Sequence, residues 1–431
     1  MLNTSSKKLK YLKPIIIDLN GKPRGLILKN FKSIDCGVCF DGSSVKGHAS
    51  VEESDLIAKP DMKTVREIDL GKRIITLAIC DVEKTSGENY KKNTRMKLKE
   101  HVREMENYGF KFKVGIEIEY FIVKKIGRKI KPLDRDQYFE IAPYARSELL
   151  QLKIMEKLDR IGIEIEKTHH EVGEGQYECS IKASDPISMA DNVIIAKMVM
   201  KEVVKKHGFE VTFMPKPFIN MNGSGMHIHV SLLSGDNRNR FYNIENDCLS
   251  LEALYAVGGL LKNAREISLL VAPTVNSYKR LKPGYEAPNK ICWGYGNRST
   301  LIRIPKLING DTCRVEYRHP DPSCNPYLAI LAVITSIEYG VTNRIEPIEP
   351  CKENVYKIEG KYETLPSNLG EAINVFENGK FIFKVLGEEI YTEIIKVKKI
   401  EWMEYLDYIS RNKLDDNDIT DWEIEKYLVK T

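Results

Sequence analysis

The stretch GIEIEYFIVKK (residues 115–125) alternates with a period of two: Glu117 and Glu119 fall on one side, Ile116, Ile118 and Tyr120 on the other. Successive side chains of a strand point to opposite faces, so this is a strand with one carboxylate face and one apolar face. Three more stretches repeat the device. In 225–232, His227, His229 and Ser231 oppose Met226, Ile228 and Val230. In 313–318, Arg314, Glu316 and Arg318 oppose Val315 and Tyr317, and in 301–304 Arg303 points away from Ile302 and Ile304. One such strand describes an ordinary sheet with a wet face. Four together, with outward positions almost all Glu, His and Arg, do not resemble the loose Lys, Thr, Ser and Gln mixture of a solvent face. Neighbouring carboxylates such as Glu117 and Glu119 repel unless protons, arginine or a cation balance them. The reading is a sheet whose polar face gathers a carboxylate-and-histidine metal cluster, with arginine beside it for anions. Hard oxygen ligands with one imidazole suit Mg2+ or Mn2+, whereas structural zinc calls for thiolates or more histidine.

Outward from that sheet, the texture of the chain changes once. Residues 12 to about 90 read as short strands and turns (PIIIDL, GLILKN, GVCFDG, RIITLAICDV), which predicts a small β-rich domain. Beyond Asn93, RMKLKEHVREMENYG predicts a helix ending at Gly109. Leu150, Ile154, Leu158 and Ile161 recur at helical spacing, and a further helix runs from about Ser188 to His207 and stops at Gly208. The remainder alternates strands, loops and helices as one α+β unit. The expected division is a small domain over 12–95 and a large one over 100–431, which 431 residues readily accommodate.

Composition excludes several function classes. At 42% hydrophobic and 29% charged, the chain is an ordinary globular protein, and its net charge of +5 is small. No basic block interleaved with aromatics speaks for nucleic acid; acidic small molecules fit better. The N-terminal MLNTSSKKLKYLKPIIIDLN lacks an apolar stretch long enough for a signal peptide, and the apolar run 327–335 is a buried helix rather than a membrane span. The cytoplasm is the default. The nine cysteines lack framework spacing. Cys36 and Cys39 form a lone CxxC with no second pair to complete a zinc site, and read as buried free thiols.

Three further stretches carry candidate chemistry. HHEVGEGQYE (169–178) supplies Glu171 and Glu178; read alone, these are solvated residues on a loop. Phe40-Asp41-Gly42-Ser43-Ser44 is a turn after a strand. NSYKR (276–280) leads into PGYEAP (283–288), a proline-stiffened loop with the composition of a lid.

Taken together, these segments resemble the glutamine synthetase family in its type I form. The matching stretches are GVCFDGSSVKG, EESDLIAKPD, GIEIEYF, HHEVGEGQYE, MPKP, NGSGMHIHVSL, PTVNSYKRLKPGYEAP, NRSTLIRIP and RVEYRHPDPSCNPYLA. They keep the family's order and spread from Asp18 to Trp422. The resemblance implies an α+β fold: a small N-terminal β-grasp-like domain, then a large catalytic domain on a curved antiparallel sheet with flanking helices. It implies ATP-dependent joining of ammonium to the side-chain carboxylate of glutamate, through an acyl phosphate, giving glutamine.

It also implies roles residue by residue. Glu119, Glu171 and Glu178 would hold one Mg2+ or Mn2+ near glutamate, and Glu117, His227 and Glu316 a second against the nucleotide phosphates. Arg298 would stabilise the moving phosphoryl group, with Arg303 and Arg314 on the phosphates and His229 and Ser231 on the nucleotide side. Arg280 and Arg318 would bind glutamate's carboxylate, with Asn222 and Gly223 at its amino-acid end. Asp41 would be the general base for ammonium, and Ser44, Tyr138, Glu171 and Glu286 would complete a cation pocket that Glu286 closes. The family builds this site between subunits of stacked rings, which implies a homo-oligomer, a dodecamer of two hexamers, with Asp41 supplied across the boundary.

The departures are local. Asp136-Gln137 stands where a glycine pair often precedes the family's Tyr-Phe motif, Ser50 stands where regulated bacterial forms often carry arginine, and the adenylylation loop of longer bacterial forms has no match. Two rivals follow: a ligase of the same fold with a polyamine, ethanolamine or aromatic amine acceptor, and a non-catalytic ring-forming relative. Retention of Asp41, Tyr138 and Glu286 favours ammonium. Retention of all six metal-ligand types and of Arg298 opposes a non-catalytic role.

Overall fold

The computed structural model describes residues 8–29, 31, 33–35, 37–69, 72–127, 129–145, 147–306 and 309–431. In the N-terminal part, seven strands among these residues form one sheet, built around Leu9–Ile17 and Arg73–Lys84, which run parallel. Pro23–Gly25 lies outside the first, and Asp55–Pro60 then Val38–Asp41 lie outside the second. Asp55–Pro60 and Arg66–Asp69 are strands that the periodicity did not single out.

The large sheet has nine strands, seven of them in the order Ile165–His170, Gln176–Ser184, Lys111–Ile126, Met226–Leu233, Val315–Tyr317, Ile302–Ile304, Trp293–Tyr295. Pairing is antiparallel except for the last pair, which is parallel. Ile116, Ile118, Met226, Ile228, Val230, Val315 and Tyr317 are all buried in one core with the helices Thr94–Asn107, Pro186–Lys205 and Pro326–Thr342. Burying one such side chain contributes about 1.5–3 kcal/mol, against about 0.2–1 kcal/mol for a cross-strand pair. The apolar face therefore sets the register, and a slip of one residue would turn every Glu and His into the core.

Local chemistry fixes the helices. Asn93 caps Thr94–Asn107, accepting from the backbone of Arg95 and Met96, and Gly109 follows with φ +78°. Asp185 and Asn325 cap helices whose first residue is proline, as its missing N–H allows. Pro326–Thr342 is the buried helix expected at 327–335, and no described helix is long and apolar enough to cross a membrane.

Three expectations need correction. NSYKR is not loop but the buried, capped helix Val275–Arg280. HHEVGEGQYE is a hairpin, since Ile165–His170 and Gln176–Ser184 pair directly across it. Cys39 is exposed: it lies on the edge strand Val38–Asp41, where it shares the outward side with Asp41. Cys248 is exposed too, while the other six described cysteines are buried and free. Cys36 lies outside the described residues.

Candidate active site

The polar face of the large sheet lines a cavity of about 240 Å3. Register delivers its residues. His227 pairs with Glu117, Glu178 with Glu119, His229 with Glu316, Arg303 with Glu316, and His169 with Glu178. Each polar side chain thus has another directly across the next strand.

Three groups that line this cavity have the spacing of metal ligands. Glu117, His227 and Glu316 form one, with His227 Nδ1 3.6 Å from Glu117 and 3.7 Å from Glu316. Glu119, Glu178 and His227 form the second, and His169, Glu171 and Glu178 the third. The expected Glu119–Glu171–Glu178 set is therefore spread over two groups that share Glu178.

The electrostatics are strained. Burial, then the charges of Glu171 and Glu178, push the Glu119 carboxyl up to about 8. Glu178 is raised as well, by burial and then by Glu117. Burial opposes ionisation of Glu316, yet Arg318, with Arg303 beside it, holds it down at about 2. Burial, then Arg318, pushes His227 down to about 4. His227 therefore stays neutral, and its buried Nδ1 has no hydrogen-bond partner. A neutral imidazole with an unused lone pair, among carboxylates that repel one another, fits a divalent cation of the Mg2+ or Mn2+ type.

The arginines surround this cluster. Arg303 and Arg318 donate to the two oxygens of Glu316 at 2.5 and 2.6 Å. Arg314 Nε donates to His229 Nδ1 at 3.2 Å, which leaves Nε2 to face Glu117 at 3.3 Å. Arg280 is buried and donates to the carbonyls of His319 and Arg318. It fits only beside glycine: a Cβ on Gly223 would stand 2.8 Å from Arg280 Cγ, and one on Gly225 2.7 Å from its Nη2. Arg298 lines the cavity, and its bond with Tyr138 raises its pKa although burial works against it.

At the mouth, Asn222 reaches Glu286 at 3.4 Å, and Glu286 holds a left-handed backbone at φ +58°. Ser231 instead lines an adjoining cavity of about 280 Å3 that shares Glu117, Lys167, His229 and Arg314 with the first. Asp41 and Ser44 line neither. Both are exposed in the small domain, where Asp41 accepts from Ser43 and Ser44. Two residues escaped the sequence reading. Lys167 lies 3.2 Å from Glu117 and 3.3 Å from Glu178. Gln176 donates to the Gly223 carbonyl at 3.1 Å and approaches Glu119 at 3.4 Å.

With this geometry in place, likeness to known proteins decides the family. The model of the glutamine synthetase catalytic domain matches residues 91–427, and that of the glutamine synthetase beta-Grasp domain matches 8–85. The chain belongs to the glutamine synthetase family. It is 39% identical to the glutamine synthetase of Pyrococcus horikoshii over 98% of this chain and 96% of that protein. To that of Thermotoga maritima it is 38% identical, over 98% and 97%. A cryo-EM structure of Plasmodium falciparum glutamine synthetase superposes with a TM-score of 0.85 at 25% identity, covering 99% and 97% of the two chains. A solved GmaS/ADP complex does so with a TM-score of 0.85 at 27% identity, covering 97% of each. Membership makes this chain an ATP-dependent ligase, and the β-grasp domain followed by a sheet-based catalytic domain is the fold of the glutamine synthetase family.

Proposed function

We propose that the chain joins ammonium to the γ-carboxylate of L-glutamate, converting ATP to ADP and phosphate by way of γ-glutamyl phosphate. The observation that carries this is one cavity in which Glu117, Glu119, Glu171, Glu178, His227 and Glu316 face Arg298, Arg303, Arg314 and Arg318. A carboxylate does not react with an amine at neutral pH, so it must first accept a phosphoryl group, and that transfer needs concentrated positive charge.

Glu119, Glu171 and Glu178 would hold one divalent cation and Glu117, His227 and Glu316 another. Mg2+ or Mn2+ there supplies charge that phosphate oxygens meet during transfer. Arg298 stabilises the moving phosphoryl group, and Arg303 and Arg314 contact the phosphates. Ser231 and His229, on the side of the adjoining cavity, face the nucleotide. Arg280 and Arg318 bind the carboxylate at glutamate's amino-acid end, beside Asn222 and Gly223. Asp41 takes a proton from ammonium, in a pocket completed by Ser44, Tyr138, Glu171 and Glu286, and Glu286 closes the mouth against water.

Asp41 and Ser44 are outside the cavity of their own chain, which supports a site completed by a neighbouring copy in a homo-oligomer of stacked rings, two hexamers in the fullest form. The compartment that fits is the cytoplasm.

A coupled assay with ATP, Mg2+ and glutamate, with and without ammonium, tests the reading. ADP release that needs both substrates and yields glutamine supports it. Faster turnover with putrescine or ethanolamine would move the acceptor to an organic amine, and no release from a properly assembled oligomer would remove the catalytic reading.

A further inference from the structure

A second cavity, of about 580 Å3, lies between the Pro186–Lys205 helix, the 18–24 turn of the small domain and the last residues of the chain. It shares no residue with the catalytic cavity. Its charge is one-sided. Lys197 and Lys201, one helical turn apart, line it together with Lys22, Lys46 and Lys430. None of these five forms an ion pair with an Asp or Glu side chain among the described residues, although Asp18 and Glu401 act on Lys22 and Glu404 lies near Lys46. Lys197 donates to the Pro322 carbonyl at 2.6 Å, and Lys201 to the backbone oxygens of Val429, at 2.7 Å, and Thr431.

The acidic residues that line the cavity are already engaged. Asp18 accepts from the backbone of Asn20 and Lys22 and pairs with Arg24 at 2.9 Å. Glu401 accepts from Lys398 at 3.1 Å and Tyr427 at 2.6 Å. Lys426, also on the wall, pairs with Glu404. Burial, and after it the ammonium groups of Lys197 and Lys22, press Lys201 down to about 7, while burial presses Lys197 to about 8 against the opposing pull of Cys324 and Asp321. Ammonium groups gathered in a recess whose carboxylates are already bonded to other groups form an arrangement that an anion relieves. Part of the remaining wall, Ile194, Met198 and Val397, is apolar and suits a carbon skeleton. The volume is that of a metabolite-sized pocket, about 300–1,000 Å3.

We propose that this cavity binds a small organic polyanion, its carboxylate or phosphate groups on Lys22, Lys197, Lys201 and Lys430 and its skeleton against Ile194 and Met198. The walls belong to the scaffold of the catalytic cavity. Thr274, on this wall, caps the helix Val275–Arg280 that ends at Arg280, and Ser323, also on it, follows Arg318 in the same segment.

Calorimetric titration of the assembled protein with citrate and with 3-phosphoglycerate, at constant ionic strength, tests the site. These probes are alike in size and charge and differ in head group. Saturable binding of at least one, at one site per chain, is expected, and the tighter of the two identifies the head group. Lys22→Gln with Lys430→Gln, both at the rim, should weaken binding at least ten-fold, and Lys197→Met with Lys201→Met at least as much. Nucleotide affinity should be unchanged in both, so this result stands apart from the catalytic reading. Absence of binding by either anion, or binding that survives both double variants, overturns the proposal. Dissociation of the oligomer in the Lys22/Lys430 variant, with no anion bound by the parent, overturns it in favour of an acidic surface of a second copy.

Discussion

Arg95 and Asp191 form a two-pronged ion pair, Nε to Oδ1 at 2.9 Å and Nη2 to Oδ2 at 2.8 Å, deep between the two domains. The same guanidinium reaches Asp81 at 2.6 Å and Asp61 at 2.9 Å, and Lys99 joins both of these. Asp61 and Asp81 belong to the small domain and Asp191 to a helix of the large one, so a single side chain pins them together. Arg95→Met leaves three carboxylates facing one another and should cost about 3–5 kcal/mol by urea denaturation; Arg95→Lys, which keeps the charge, should cost less.

The same cluster predicts an acid limit. Burial works against ionisation of Asp61, but Arg95 and Lys99 hold it down to about 2, below the ordinary 3.8. A carboxylate depressed on folding contributes stability that is full above its unfolded pKa and lost as pH falls through the folded one. The contribution, about 1 kcal/mol after allowing for solvent screening, should disappear between roughly pH 4 and pH 2. Asp61→Asn should lose that part of the pH slope; an unchanged slope would contradict it.

Glu119 is the carboxylate that its neighbours least tolerate. Glu119→Gln should raise the melting temperature of the metal-free protein by about 1–3 °C, because one like-charge repulsion disappears. The same variant should weaken Mn2+ binding by about 10- to 100-fold. Thermal shift with and without EDTA reads both. A fall in the metal-free melting temperature would show that Glu119 acts structurally.

Lys167 stands between two carboxylates assigned to different cation positions. Its ammonium competes for the oxygens a cation would take, so Lys167→Ala should tighten Mn2+ binding a few-fold, by about 0.5–1 kcal/mol at this half-exposed position. Weaker binding would instead make Lys167 a positioning residue for the two carboxylates.

Arg298→Lys keeps the charge and loses the planar fork. Turnover should fall about 100- to 1,000-fold with ATP affinity nearly intact, as expected of a group that acts on charge developing in the transition state. An equal loss of nucleotide affinity would reassign it to ground-state binding.

Asp41 can be tested by mixing. If it serves a neighbour's cavity, Asp41→Asn and Arg298→Lys chains, each nearly inactive alone, should regain about a quarter of full activity when unfolded and reassembled together in equal amounts. No recovery from correctly sized mixed oligomers would place the site within one chain.

The strands that matter were legible because their alternation is strict: Glu117 and Glu119, His227 and His229, and Arg314 and Glu316 all take the faces their positions predict. Lys167 was not legible, and the reason is local. The register shifts between Ile165 and Lys167, so two residues of odd number that plain alternation puts on one side end on opposite faces. A bulge re-aims a side chain in this way, and nothing in the stretch IEIEKTHH announces it. The helix Val275–Arg280 was missed for another reason: its polar residues are buried and satisfied by tertiary partners. Asn276 bonds Lys216 and Glu423, and Lys279 bonds Glu423 and Tyr405, none of them adjacent in sequence. The second cavity had no linear signature either, because its lysines come from five separate segments.

His227 belongs to two of the three ligand groups that line the catalytic cavity, and Glu178 to two as well. The groups are therefore links in one chain rather than separate cups. A pull at either end would travel through a shared side chain, His227 facing Glu117 and Glu316 with Nδ1 and Glu119 with Nε2. A cation held in one group would fix the orientation of the common imidazole and so set the terms on which a second could be held.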